Sequence, residues 1–336
     1  MILHLDLPTG GYPIYIERGA LDRVGELFSL ERRVLVVTDK GVPADYAKRV
    51  AAQCKYAHVV TVDEGEGSKS FDVLQLLLDT MLQNGFGRTD CVVAVGGGVV
   101  GDLSGFAASV FMRGIDFYNI PTTVLSQVDS SIGGKVAINF GGVKNIIGAF
   151  HQPRAVIIDA NVLATLPKRQ IANGLAEAVK MALTSDAELF ELFERGDAIE
   201  NIDTIIERSL RIKKAVVEED EKEQGLRRIL NFGHTLGHGI EGNSFDTLYH
   251  GECVALGMIP MCAPDVRERL ISVLQKLGLP TKMEGNLETI LNLTSHDKKC
   301  EGEAVNVVFV DAVGFFRIAK MPLANWQQYI REQIGG

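Results

Sequence analysis

The sequence predicts an α/β domain built on a parallel sheet, followed by a mostly α-helical domain, on three observations. In the first half, short β-branched runs alternate with helical patterns, the mark of a parallel sheet covered on both faces. One of those runs passes directly into a glycine-rich turn that opens a helix. After Leu166-Pro167 the β runs give way to a succession of helical patterns. A chain of 336 residues exceeds the size at which one core stops growing, so two domains are expected, 1–165 and 166–336.

The expected strands are Val34–Thr38, His58–Val62, Cys91–Val95, Phe117–Ile120 and Ala155–Ile158. Each is bounded by Gly, Pro or Asp, as buried strands tend to be. The clearest helix between them carries Leu74, Leu77, Leu78 and Met81 on one face, with Ser68 or Ser70 as its N-cap. Pro167 marks a helix start. Helices are then expected over Arg169–Arg195, Ile202–Glu219, Arg228–Glu241, Gly251–Met261 and Asp265–Leu277. Val305–Val310 and Gly314–Ala319 read as a hairpin. The charged run Glu218–Glu223 reads as the solvated end of a helix.

Hydrophobic residues make up 46% of the chain and charged residues 23%, which argues against long disordered regions. The formal net charge of -9 is the opposite of a nucleic-acid binder's balance. The five cysteines form no CxxC pair and read as reduced thiols. The N-terminus lacks a basic region followed by an apolar run, and no apolar stretch is long enough to span a membrane. The cytoplasm is the expected compartment.

Cys91–Val95 runs into Gly96-Gly97-Gly98-Val99-Val100-Gly101-Asp102, in which Gly96, Gly98 and Gly101 satisfy GxGxxG. Missing side chains let backbone approach a pyrophosphate, and the N–H groups at a helix start favour its charge. The turn follows the third expected strand, not the first. A dinucleotide site is therefore expected, outside the usual Rossmann arrangement.

His234 and His238 lie four apart, which puts both on one face of a helix. His250 follows at a helix start, and Glu177 precedes Lys180 by three residues. Two or three histidines with one carboxylate suit a zinc site that keeps a position open for substrate. Spacing alone makes His234 and His238 the natural ligand pair. His4, His58, His151 and His296 show no such clustering and read as structural. Lys135, Lys144 and Asn145 lie in a Gly-rich stretch, 130–148, read as irregular. With Arg113, Lys180, Lys213 and Arg227 they are the cations available for an anion pocket.

Taken in order, GGGVVGDLSGFAAS, RGI, PTTVLSQVDSSIGGK, KNIIGAFHQP, LPKR, GLAEAVK, LNFGHTLGH and HGE resemble the 3-dehydroquinate synthase family of sugar-phosphate cyclases. The resemblance runs from Val34 to Lys299. It implies an N-terminal α/β nucleotide-binding domain, a helical metal-binding domain, and a homodimer. It implies NAD, regenerated each turnover, and one zinc or cobalt ion. The substrate implied is 3-deoxy-D-arabino-heptulosonate 7-phosphate. Transient oxidation, phosphate elimination, reduction and an intramolecular aldol closure would yield 3-dehydroquinate, in the shikimate pathway to aromatic amino acids.

Carried over motif by motif, the metal ligands are Glu177, His234 and His250, and His238 becomes a polar catalytic residue. NAD falls to Asp39, Glu66, Lys69, Gly98, Val99, Val100, Gly101, Asp102, Thr122, Thr123 and Thr165, with Lys135 and Lys144 near both cofactor and substrate. Around the substrate the family pattern places Arg113, Asp129, Asn145, Lys180, Lys213, Arg227, Asn231 and a lysine of the His296–Lys299 segment, here Lys299. Val136 and Val143 depart from the commoner residues, and the segment after His250 looks shortened. The rival readings are another sugar-phosphate cyclase and an NAD- and metal-dependent polyol dehydrogenase. The lysines suited to phosphate argue against the second.

Overall fold

The computed structural model describes residues 1–244, 247–294, 300–301 and 304–334. The chain forms two compact units, Met1–Leu166 and Pro167–Gly336. In chain order the first contains β1 (Ile2–Leu5), β2 (Tyr12–Ile16), α1 (Val24–Leu27), β3 (Arg33–Asp39), α2 (Ala44–Ala51), β4 (Tyr56–Val62) and α3 (Phe71–Gln83). It continues with β5 (Cys91–Gly96), α4 (Gly98–Val110), β6 (Asp116–Pro121), β7 (Lys135–Phe140), β8 (Val143–Phe150) and β9 (Ala155–Ile158).

The main sheet runs β1-β2-β9-β6-β5-β3-β4. Every pairing in it is parallel except β1 with β2. The two N-terminal strands are an addition to the expected five. Each is short, and β2 joins the sheet by pairing Ile14 with Val156 across a long sequence gap, a partnership no local pattern signals. The interior of β5 is wholly buried, as a strand covered on both faces must be. Helix α3 buries Leu74, Leu77 and Met81 against this sheet, and Ser70 caps it by accepting from the Val73 amide at 3.3 Å. Full burial of each such side chain is worth about 1.5–3 kcal/mol.

Residues 130–148 are not irregular. From Lys135 they form the antiparallel hairpin β7–β8, which closes through Gly141 (φ +60°) and Gly142 (φ +77°). Two consecutive positive φ values are what a tight hairpin turn requires, so the glycines that suggested a loop make the turn of a ladder. Val136 and Ile138 alternate inward to the core and hold the hairpin on the sheet unit.

The second unit contains α5 (Lys168–Ser185), α6 (Ala187–Arg195), α7 (Ile202–Glu219), α8 (His234–Asn243), α9 (His250–Met258), α10 (Pro264–Lys276) and α11 (Leu287–Thr294). β10 (Cys300–Glu301), β11 (Ala304–Ala312), β12 (Phe315–Pro322) and α12 (Leu323–Ile334) complete it, with β11 and β12 forming the expected hairpin. Two expected helices are broken. Asp186 takes an extended conformation and caps α6 through the Leu189 amide, which splits 169–195. Over 228–241 a 3-10 turn, Leu226–Asn231, ends before Gly233, whose φ of +75° restarts the chain as α8.

Helix α5 is buried without interruption from Ala172 to Thr184. Helix α9 packs on it, and also on α8, at backbone contact. A Cβ built on Gly251 would lie 1.9 Å from the Asn173 carbonyl oxygen, and one on Gly257 would lie 2.0 Å from that of Gly233. Only glycine permits these approaches. No described helix is long and apolar enough to cross a membrane.

Candidate active site residues

In the first unit the chain leaves β3 towards β4 and leaves β5 in the opposite direction, towards β6. The carboxyl ends of β3 and β5 therefore flank a topological switch point, the usual ligand crevice of an open α/β sheet. Asp39 ends β3, and the glycine turn follows β5. A Cβ on Gly96 would meet Val100 at 2.6 Å, one on Gly97 would meet Thr123 at 3.2 Å, and one on Gly98 would meet Ser130 at 3.2 Å. The turn is thus tight as well as bare, and Gly98, Val99, Val100, Gly101 and Asp102 form the first turns of α4. Amides at the start of such a helix suit a pyrophosphate.

The Asp39 carboxylate accepts from the amides of Gly41 (2.8 Å) and Val42 (3.1 Å). Burial pushes its pKa up, and these bonds only partly offset that. Thr122 donates its amide to the Gly96 carbonyl at 2.9 Å, and the Thr123 and Ser126 hydroxyls pair at 2.8 Å. Thr165 lies 3.2 Å from the Tyr46 hydroxyl. Asp129 sits in a π-helical turn, Ser126–Ser130. Lys69, buried, donates to Asp102 at 2.7 Å and to the side chain of Asn145, and lies 3.5 Å from Glu66. Asn139 completes this knot: its amide group donates to Glu66 at 2.9 Å and accepts from the Asn145 amide at 2.8 Å. That holds Asn145 at φ +53° on the hairpin. Asn139 escaped the sequence analysis because its role lies in two tertiary contacts.

Lys135 opens β7, and Lys144 lies beside the hairpin turn; both are exposed. Arg113 follows the far end of α4, in a short turn where it takes a φ of +72°. Replacing Gly96 by alanine is expected to displace the start of α4 and to weaken dinucleotide binding at least about fivefold, the lower end of an overpacking cost of about 1–3 kcal/mol. Fluorescence titration with NAD checks this, with metal affinity expected to stay unchanged.

In the second unit Glu177 sits in the middle of α5, 1% exposed. His234 and His250 are the first residues of α8 and α9. Their Nε2 atoms lie 3.5 Å and 3.4 Å from the same oxygen, Glu177 Oε1. The other carboxylate oxygen, Oε2, is ion-paired with the Lys180 ammonium. His234 Nδ1 faces the Phe232 carbonyl at 3.1 Å, and His250 Nδ1 faces the Glu241 carboxylate at 3.1 Å. Both partners accept only, so each Nδ1 carries a proton, and each Nε2 faces Glu177 as the atom that can offer its lone pair to a cation. Three electron-rich atoms converge on one buried spot, the donor set a divalent cation takes.

Burial pushes the Glu177 carboxyl up, but the Lys180 ammonium and His250 outweigh it and hold it well below the usual carboxylate range. Burial pushes His250 down, but hydrogen bonds to Glu177 and Glu241 raise it to about 9 in the metal-free chain. His238 stands one turn along α8 from His234, with ring centroids 5.5 Å apart, and 6.0 Å from the His250 ring. It belongs to the cluster but does not face Glu177 as His250 does. His238, Glu241 and His250 form a second group within ligand distance.

Lys180 also donates to the Leu230 carbonyl at 2.8 Å, which ties α5 to the turn that carries Asn231. Lys213 on α7 is buried, and so is Arg227 in that turn. Asp220 accepts from the amides of Gln224, Gly225 and Arg227 and folds the acidic run into a loop. Glu223, at φ +59°, thereby reaches the Asn231 side-chain amide at 2.9 Å. The run is a helix end, but Glu223 is not merely solvated. Lys299 lies outside the described residues.

The solved structure of 2-deoxy-scyllo-inosose synthase complexed with carbaglucose-6-phosphate, NAD+ and Co2+ is 25% identical, with a TM-score of 0.89 and coverage of 99% of this chain and 100% of that one. The 2-epi-5-epi-valiolone synthase from Streptomyces hygroscopicus subsp. jinggangensis, with NAD+ and Zn2+ bound, is 26% identical, with a TM-score of 0.87 and 98% coverage of both chains. The fold is thus that of the dehydroquinate synthase-like sugar-phosphate cyclases. Residues 59–173 match the 3-dehydroquinate synthase N-terminal family and residues 174–300 its C-terminal counterpart. The curated 3-dehydroquinate synthase of Enterococcus faecalis is 40% identical over the whole of both chains. The chain belongs to the 3-dehydroquinate synthase family.

Proposed function

We propose that the chain converts 3-deoxy-D-arabino-heptulosonate 7-phosphate to 3-dehydroquinate and phosphate, using NAD in the first unit and one Zn2+ or Co2+ held by Glu177, His234 and His250. The observation that carries this reading is the convergence of two histidine Nε2 atoms on one oxygen of a buried carboxylate, Glu177 Oε1. NAD supplies a reversible hydride acceptor. The cation supplies a Lewis acid for substrate oxygens.

The protein's own groups bind and orient. The glycine turn and the start of α4 take the dinucleotide phosphates. Lys180, ion-paired with Glu177, holds a substrate oxygen, while Lys213 and Arg227 supply buried positive charge for phosphate and carboxylate. Asn231, fixed by Glu223, and His238, fixed on the face of α8, hold and pass protons. Within the first unit, Lys135, Lys144, Asn145, Asp129 and Arg113 supply the polar groups suited to an anionic ligand. The same reading carries a cytoplasmic homodimer, which sedimentation checks.

Phosphate release from the heptulosonate phosphate tests the reading. It is expected to need a divalent cation and only catalytic NAD, with no net NADH. Release from a hexose phosphate alone, or net NADH production from glycerol, would overturn it.

A further inference from the structure

We propose that Glu241 is a positioning residue for His250, setting its tautomer and the affinity of the metal site. The inference rests on the metal reading of Glu177, His234 and His250. His234, His238 and Glu241 fall at i, i+4 and i+7, so α8 presents them on one stripe. Helix α9 delivers His250 to that stripe, where Nδ1 lies 3.1 Å from Glu241 Oε2 and Nε2 lies 3.4 Å from Glu177 Oε1. The Gly251 amide donates to the Asn173 side chain at 2.6 Å, which fixes the backbone next to His250. The imidazole can still rotate about its own bonds, and the Glu241 carboxylate is the group seen to orient it.

The two histidines are held unequally. A backbone carbonyl, neutral and immobile, orients His234. A carboxylate orients His250, and a charged acceptor behind an imidazole raises its basicity towards a cation on the other nitrogen. Glu241 therefore adds both direction and charge to His250. A rival use of the same residues exists, because His238, Glu241 and His250 lie within ligand distance of one another. Binding an ion there would require His250 Nδ1 to give up its bond to Glu241, so the positioning role is favoured.

The test uses the full chain stripped of metal, with Zn2+ affinity measured by chelator competition and ion stoichiometry by Co2+ absorption. Glu241→Ala is expected to weaken Zn2+ binding about 10–100-fold. Glu241→Gln, whose amide oxygen still accepts from Nδ1–H, is expected to recover part of that loss. One ion per chain, the Co2+ spectrum and NAD affinity should stay unchanged. Unaltered Zn2+ affinity in both variants overturns the proposal. Two ions in the parent chain and one in Glu241→Gln overturns it in favour of a second metal site. If Glu241→Ala does not fold, Glu241→Gln alone decides, since loss of charge should still weaken binding. His234→Ala is the control: unchanged affinity there sinks the ligand reading instead.

Discussion

Alanine at Gly251 or Gly257 is expected to abolish tight metal binding and to destabilise the second unit by about 3 kcal/mol, the upper range for overpacking. Neither residue has a functional group. Each places α9 in backbone contact with a neighbour, Gly251 against Asn173 and Gly257 against Gly233. Backbone atoms at 1.9–2.0 Å cannot swing aside as a flexible side chain can. The helix must move, and His250, its first residue, moves with it. Denaturant unfolding and Zn2+ titration measure the two losses. Gly242→Ala is the contrast: it lies in α8, and among the described residues its Cβ would meet only Leu293, at 3.4 Å. Alanine's helix propensity makes that change neutral or stabilising, by up to about 1 kcal/mol. A similar loss at Gly242 would refute the contact argument.

Glu177→Gln is expected to remove the site by a different route. It leaves the shape of α5 intact but withdraws the negative charge that faces two imidazoles and the Lys180 ammonium. Breaking a buried ion pair from one side costs about 3–5 kcal/mol. Zn2+ binding and phosphate release should fall below detection, while NAD affinity in the first unit stays. The metal-free parent chain adds a signature in pH. His250 has its pKa raised from 6.5 to about 9, against burial, by hydrogen bonds to Glu177 and Glu241. Its stabilising contribution is therefore complete below pH 6.5 and is lost as pH rises through about 9. The melting temperature of the stripped protein should fall across that window. Bound metal takes the place of the proton, so the loaded protein should not show the fall. A flat profile in the stripped protein would contradict this reading of the pair.

Much of the parallel sheet was legible because its central strands advertise themselves. Cys91–Val95 and Val34–Thr38 are apolar runs bounded by turn residues, and burial on both faces demands such runs. β1 and β2 were not legible, since short edge segments depend on distant partners. β7 and β8 were hidden by the glycines that make their turn. Asp186 ends one helix and caps the next within a continuous helical pattern, which periodicity smooths over. At the site, spacing favoured His234 with His238, because an i, i+4 pair is the only geometry a sequence displays directly. The structure shows why His250 is the one whose Nε2 faces Glu177. It arrives on a separate helix, and the contacts that bring it there belong to two glycines. Glu223 and Asn139 act through loop and hairpin geometry, and neither leaves a periodic trace.

The three atoms that converge on one spot come from one helix interior and two helix starts, on three separate helices between positions 177 and 250. An unfolded chain cannot assemble them, so the cation selects the finished fold. At a free ion concentration a hundredfold above the dissociation constant, that selection adds about 2.7 kcal/mol to the folded state. Metal supply would then govern how much enzyme survives proteolysis in the cell, in addition to how fast each molecule turns over.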